Sequence, residues 1–225
     1  MKNEAIVAVC GDIALKFLEI TLPQNIQFFD NYIIISDSKS KDVHEFCKNW
    51  PVTLLITDSF YLDGCKFNRG RCYNESFSLL DYRQRVSLLD TDCFISDKLG
   101  NEIRNTDYNV EIMWGARRCV VPKLKDLTEL LKGNQEFEDS LKSWPGFCYG
   151  FCQVFDCNAQ SIKQNGLVYP GSQDCSCEDW IFRNSRFGET VNEDNHYIGN
   201  IRPYKNKIWH LGEPNISGGK NFFIP

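Results

Sequence analysis

The chain of 225 residues is 42% apolar and 24% charged, a globular balance that excludes disorder or a coiled coil over its whole length. A net charge of −5 sets the average surface against phosphate backbones, so a nucleic-acid partner is not expected without a local basic patch. The apolar runs fall far short of the roughly 20 residues of a membrane span, and the start lacks the basic-then-apolar order of a secretory signal. The expectation is a soluble, cytoplasmic protein without a membrane span.

The first half alternates strands with helices. AIVAVC at 5–10 reads as a buried strand stopped by Gly11-Asp12, with a helix over 13–19. NYIIIS at 31–36 is a second β-branched run and ends at Asp37; helical spacing over 40–49 puts Val43, Phe46 and Trp50 on one side. VTLLIT at 52–57 stops at Asp58, 75–83 has a helical look, and VSLL at 86–89 stops at Asp90. Strands separated by helix-length segments predict a parallel α/β sheet. Ligands of such sheets bind beyond the carboxyl ends of the strands, where Asp37, Asp58 and Asp90 fall.

The second half is less regular. LKDLTELLKG at 124–133 predicts a helix stopped by Gly133, with a second helical segment over 134–143. Residues 144–177 read as loops and short strands, and 178–187 as a helix opened by two acids. Gly212, Gly218 and Gly219 predict a mobile tail. The whole reads as a single domain, 1–100 forming one half and 101–225 the other.

Eleven cysteines are scattered along the chain, which fits free thiols in a reducing compartment better than a disulfide framework. Cys148, Cys152, Cys157, Cys175 and Cys177 form the densest cluster. Cys148 and Cys152 have zinc-knuckle spacing, but Cys175-Ser176-Cys177 is too tight for the usual second pair. Zinc and disulfide both stay open there.

Four motifs carry chemistry. Asp90-Thr91-Asp92, where a strand opens into a loop, can share a divalent cation, although such a triplet alone is most simply a turn. Phe67-Asn68-Arg69-Gly70-Arg71-Cys72-Tyr73-Asn74 places two arginines near a helix start, suited to phosphate or sugar hydroxyls; the plain alternative is a solvated basic turn. Glu178-Asp179-Trp180 joins a carboxylate pair to an indole, a way to hold a sugar, or simply a favourably charged helix start. His210 closes the run Ile208-Trp209-His210 and could complete a metal site with Asp92, although a lone histidine is more often structural. His44 and His196 read as structural.

The order FNRGRCYN, then LLDTDCFI, then Glu178-Asp179, then His210 resembles the metal-dependent glycosyltransferases of the GT-A fold. The resemblance is to the beta-1,4-galactosyltransferases and the chondroitin-polymerase-like members of family 2, and it rests on some thirty residues in detail. It implies a Rossmann-like GT-A domain with a mostly parallel central sheet flanked by helices. Residues 1–100 would then bind a nucleotide sugar, and 101–225 would form an irregular acceptor-binding half whose tail closes over the donor. It implies Mn²⁺ (or Mg²⁺) held by Asp90, Asp92 and His210. Donor contacts would come from Asp37, Phe67, Arg69, Arg71, Asn74 and Asp90. Asp179 would be the general base for an acceptor hydroxyl, with Glu178 and Trp180 orienting that acceptor. A UDP-sugar donor, a glycan or other hydroxyl acceptor and inversion at the anomeric carbon are implied in the same way. The approach to the acidic pair, GSQDCSCED, departs from the family's Gly-rich pattern.

Two other readings compete. A nucleotidyltransferase making nucleotide sugars would normally carry a Gly-rich, basic loop after the first strand, where this chain has Cys10-Gly11-Asp12-Ile13-Ala14. A non-catalytic, cysteine-rich binding module stabilised by zinc would treat the acids as surface decoration.

Overall fold

A computed structural model describes residues 1–106, 111–141, 143–147, 152–169, 182, 186, 190–191, 197–198 and 201–212. β1 (Asn3–Val9) leads into α1 (Gly11–Asn25), and β2 (Asn31–Ser36) into α2 (Lys41–Cys47). β3 (Thr53–Ile56) leads through a 3-10 turn at Ser59–Gly64 into α3 (Arg69–Ser76). β4 (Arg85–Leu89), the short β5 (Cys93–Phe94) and α4 (Asp97–Asn105) come next. Then follow β6 (Met113–Val121), α5 (Leu124–Leu131), α6 (Gln135–Ser140), β7 (Ser143–Phe147), β8 (Cys152–Asp156) and α7 (Gln160–Asn165). A ribbon of β9 (Thr190–Val191) and β10 (Tyr197–Ile198) precedes β11 (Ile201–Leu211).

Among the described residues the main sheet runs β3-β2-β1-β4-β8-β6-β11-β5, with β7 also on β6. The strands β3-β2-β1-β4 are all parallel. β8 then enters antiparallel between β4 and β6. β7 pairs β6 at Arg117 and Cys119, further along the strand than the contacts of β8 at Trp114 and Gly115. β11 lies parallel to β6 and antiparallel to β5.

Side-chain alternation explains why both faces are covered. Ala5, Val7 and Val9 of β1 point into a core with Leu18 and Leu22 of α1, Val43 of α2, and Leu99 and Ile103 of α4. Ile6 between them faces a second core with Cys72 and Tyr73 of α3, Phe155 of β8 and Ile162 of α7. A third cluster joins Leu127 and Leu130 of α5 to Phe94, Trp209 and Leu211. On α4, Gly100 allows close approach to Phe28, because a Cβ there would stand 2.3 Å from the ring. The result is a Rossmann-like α/β fold. No helix among the described residues is long and apolar enough to cross a membrane.

The expected helix over 75–83 is corrected. It starts earlier, at Arg69, because the Asn68 side chain caps it by accepting from the Arg71 amide. It ends earlier because the buried Glu4 carboxylate captures the amides of Asp81, Tyr82 and Arg83 and turns the chain. The stop at Gly133 matches a residue at φ +78° two positions past α5. Of the helix expected over 178–187, only Phe182 and Arg186 are described, both helical. The tail beyond Gly212 lies outside the described residues.

Candidate functional site

The Asp90-Thr91-Asp92 turn leaves the carboxyl end of β4 and is pinned from several directions. The Thr91 hydroxyl donates to the Ala8 carbonyl of β1 at 2.9 Å. The Thr91 carbonyl accepts from Thr21 of α1 at 2.9 Å. Asn25, one turn further along α1, bonds the Cys93 carbonyl and the Ile95 amide, both at 2.8 Å. Long-range bonds from the end of α1 and from β1 therefore set where the two carboxylates emerge.

His210 reaches this turn from the far end of the chain. Register pairs it with Cys93 across β11 and β5, and the Leu211 amide donates to the Asp92 carbonyl at 2.9 Å. Phe94 and Trp209 stack at 5.5 Å beside that junction. The His210 Nε2 consequently lies 3.2 Å from the Asp92 Oδ2.

Burial governs the protonation of both groups. It pushes Asp92 up to about 6, against the pull of the Arg118 and Arg69 charges. It lowers His210 to about 4, and the Arg118 charge acts in the same direction. The imidazole is therefore neutral at physiological pH.

Arg69 lies across the turn from His210. Its Nη1 is 2.5 Å from the Asp90 Oδ1, and its guanidinium sits 5.6 Å from the Tyr73 ring centre. Its side chain is only 11% exposed, so this ion pair is shielded rather than a loose surface contact.

Asp37 sits on the same carboxyl edge, with β1 between β2 and β4. Its Oδ1 accepts from the Ser40 amide at 2.8 Å and its Oδ2 from the Tyr61 hydroxyl at 2.5 Å. His44 Nε2 lies 2.9 Å from the Asp37 carbonyl, so this histidine is structural as expected. Asp58 accepts from the Ser38 amide and hydroxyl at 3.0 and 2.7 Å. Burial alone would raise the Asp37 carboxyl, but the bonds from Ser40 and Tyr61 outweigh it and hold the group below its ordinary 3.8. A depressed carboxyl stabilises the fold above the unfolded value, and that contribution is lost as pH falls through the lower folded value. Asp37→Asn is therefore expected to lower the melting temperature at neutral pH and to flatten its decline below about pH 4. An unchanged acid limb in thermal melts would refute this.

Three expected contacts fall elsewhere. Asn74 faces Tyr169: its Nδ2 donates to the Tyr169 carbonyl at 2.8 Å and its Oδ1 accepts from the Tyr169 amide at 2.6 Å. Both ends of the amide are engaged in fixing that segment to α3. Arg71 pairs with the exposed Asp63 at 2.5 Å, toward the 59–64 turn. Phe67 stacks on Phe60 at 5.0 Å, nearly parallel, within the second core. Glu178, Asp179 and Trp180 lie outside the described residues.

Arg118 was missed by sequence reasoning. The signal was there: Arg117-Arg118 is a doubled arginine inside the otherwise apolar strand β6.

A divalent cation fits two of the described groups. Asp92 and His210 supply an oxygen and a nitrogen close enough to share one ion, a donor set suited to Mn²⁺ or Mg²⁺ when ligand oxygens and water complete the shell. Among the described residues no group of three or more His, Cys, Asp or Glu side chains is placed to hold a metal. Of the cysteine cluster, Cys152 is a free thiol fully buried in β8 and Cys157 a free, partly buried thiol. Cys148, Cys175 and Cys177 lie outside the described residues.

No family profile and no curated protein sequence matches the chain. Solved structures do. A mannosyltransferase from Pyrobaculum calidifontis in complex with GDP-Man and Mn²⁺ is similar over 96% of this chain, with TM-score 0.54 and 13% identity. This chain spans only 58% of that protein's length. A nucleotidyl transferase from Methanothermobacter thermautotroptrophicus is similar over 91% of this chain and 88% of its own, with TM-score 0.51 and 9% identity. A cytidylyltransferase from Leptospira borgpetersenii matches 92% of this chain and 76% of its own, with TM-score 0.51 and 14% identity. At such identities the likeness is one of fold.

Proposed function

We propose that this chain is a metal-dependent glycosyltransferase that moves a sugar from a nucleotide donor, a UDP-sugar by resemblance, to an acceptor hydroxyl with inversion. The observation that carries the reading is the approach of His210 to Asp92, a neutral imidazole beside a carboxylate at the carboxyl edge of the sheet. Asp92 and His210 would hold the cation, and bound Mn²⁺ or Mg²⁺ supplies Lewis-acid neutralisation of the diphosphate as it leaves.

The protein's own groups do the rest. Arg69 orients Asp90, whose carboxylate would accept from a ribose hydroxyl. Asp37, fixed by Ser40 and Tyr61, offers a second prealigned acceptor for the nucleoside. Asp179 takes the acceptor proton as the hydroxyl attacks, with Glu178 and Trp180 orienting the acceptor. The mannosyltransferase among the similar folds supports this reading, as its structure holds a nucleotide sugar and Mn²⁺.

Nucleotidyl transfer is the runner-up, since similar folds also include nucleotidyl and cytidylyl transferases. The end of β1 speaks for glycosyl transfer. α1 begins directly at Gly11, whose amide donates to Ser40 Oγ at 2.8 Å. That leaves no room for a glycine-rich basic loop to wrap a triphosphate.

Product analysis separates the two. Incubation with a panel of nucleotide sugars, Mn²⁺ and mixed acceptors is expected to release nucleoside diphosphate. Release of pyrophosphate from a nucleoside triphosphate and a sugar phosphate, without nucleoside diphosphate in the first assay, would replace the proposal by nucleotidyl transfer.

A further inference from the structure

Resting on the reading above, we propose that Arg118 is a second phosphate-binding cation of the site, so that nucleoside diphosphate binding does not depend wholly on metal. The register of β6 and β11 pairs Val120 with His210 and Arg118 with Ile208. Parallel partners share a sheet face, and residues two apart along a strand share one as well. Arg118 and His210 therefore project from the same face of neighbouring strands. Arg118 stands one step back from the carboxyl edge and is half-buried rather than lost in the core.

Its charge bears on both members of the Asp92–His210 pair. On the other side of the turn Arg69 contacts Asp90. The two carboxylates are thus flanked by two guanidiniums, one delivered by a helix and one by a strand. Asp90 and Asp92 bring two formal negative charges, and Arg69 and Arg118 two positive ones. An incoming diphosphate then competes with the two carboxylates for these guanidiniums. Arginine suits this exchange because its planar fork meets phosphate and carboxylate oxygens equally well.

Calorimetry with UDP, GDP and CDP tests the proposal, in EDTA and again in Mn²⁺, on wild type, Arg118→Gln and Arg118→Lys. Wild type is expected to bind one of these nucleotides measurably in EDTA. Arg118→Gln is expected to weaken that binding on the order of ten- to a hundredfold, and Arg118→Lys to restore part of it. Equal affinity of Arg118→Gln and wild type in EDTA, or wild-type binding seen only in Mn²⁺ and unchanged in Arg118→Gln, would overturn the role of Arg118 alone. Absence of binding of all three nucleotides to wild type in both conditions would overturn the glycosyltransferase reading and this proposal with it. If Arg118→Gln does not fold, phenylglyoxal labelling of wild type answers the question. Nucleotide should protect Arg118 from modification in EDTA, and labelling that proceeds unchanged rejects the proposal.

Discussion

Asp92→Asn is expected to abolish the Mn²⁺-dependent gain in nucleoside diphosphate affinity, a loss on the order of a hundredfold, without lowering the melting temperature. The two halves of this expectation come from the same burial. Asparagine keeps the shape, and the Asp92 backbone carbonyl still accepts from Leu211. What disappears is a charge. Because burial raises Asp92 to about 6, its ionised form is disfavoured in the folded chain relative to the unfolded one. That cost is absent at acid pH and fully present above about 6. Removing the carboxylate at pH 7 therefore relieves that burial cost while deleting the group proposed to hold the cation. A variant that melts at or above the wild-type temperature and has lost the metal effect is the signature of a site maintained at the expense of stability. Calorimetry with and without Mn²⁺, beside a thermal melt, checks both halves. An intact metal effect would remove Asp92 from the cation site.

Glu4→Ala is expected to be the most damaging substitution for the fold, at about 3–5 kcal/mol, or roughly 10 °C or more in melting temperature. Glu4 lies on β1 with no exposure to solvent. Its carboxylate accepts from the amides of Asp81, Tyr82 and Arg83 at 2.8, 3.2 and 2.8 Å, and from the Asn31 side chain at 3.1 Å. Arg83 is held at φ +48° within that turn, a left-handed conformation that costs a non-glycine residue about 1–2 kcal/mol. Alanine would orphan three backbone donors at once and release the turn that feeds β4, the strand carrying the Asp90-Thr91-Asp92 turn. Glu4→Gln, which keeps one acceptor oxygen, should fall between. Denaturant melts showing a loss under about 1 kcal/mol for Glu4→Ala would contradict this account.

The same residue marks a boundary of what the sequence discloses. NYIIIS is legible as β2 because a β-branched run between polar stops admits few alternatives, and the observed strand is Asn31–Ser36. The helix near residue 75 was misplaced because its limits are set by partners, the Asn68 cap at one end and the distant Glu4 at the other. Periodicity cannot see either. The insertion of β8 between β4 and β6, reversed in direction, is a long-range pairing with no local signature. It also makes the second half of the sheet mixed, the half whose sequence is the less regular.

The candidate site divides in the same way. Asp90 and Asp92 were legible because they end a strand, and His210 because it ends another. That Asn74 would serve Tyr169, and Arg71 an acid eight residues earlier in the turn before α3, depends on side-chain geometry that residue order does not record. Arg118 hid in plain view, since a charged pair inside a buried strand reads as a surface stripe until its neighbours are known.

β11 joins β6 on one side and β5 on the other, and it alone carries His210 to Asp92. During synthesis the early strands can assemble before β11, the last strand among the described residues, has been made. A chain cut before residue 210 would thus keep Asp92 but lose both the imidazole beside it and the register that ties β5 to β6.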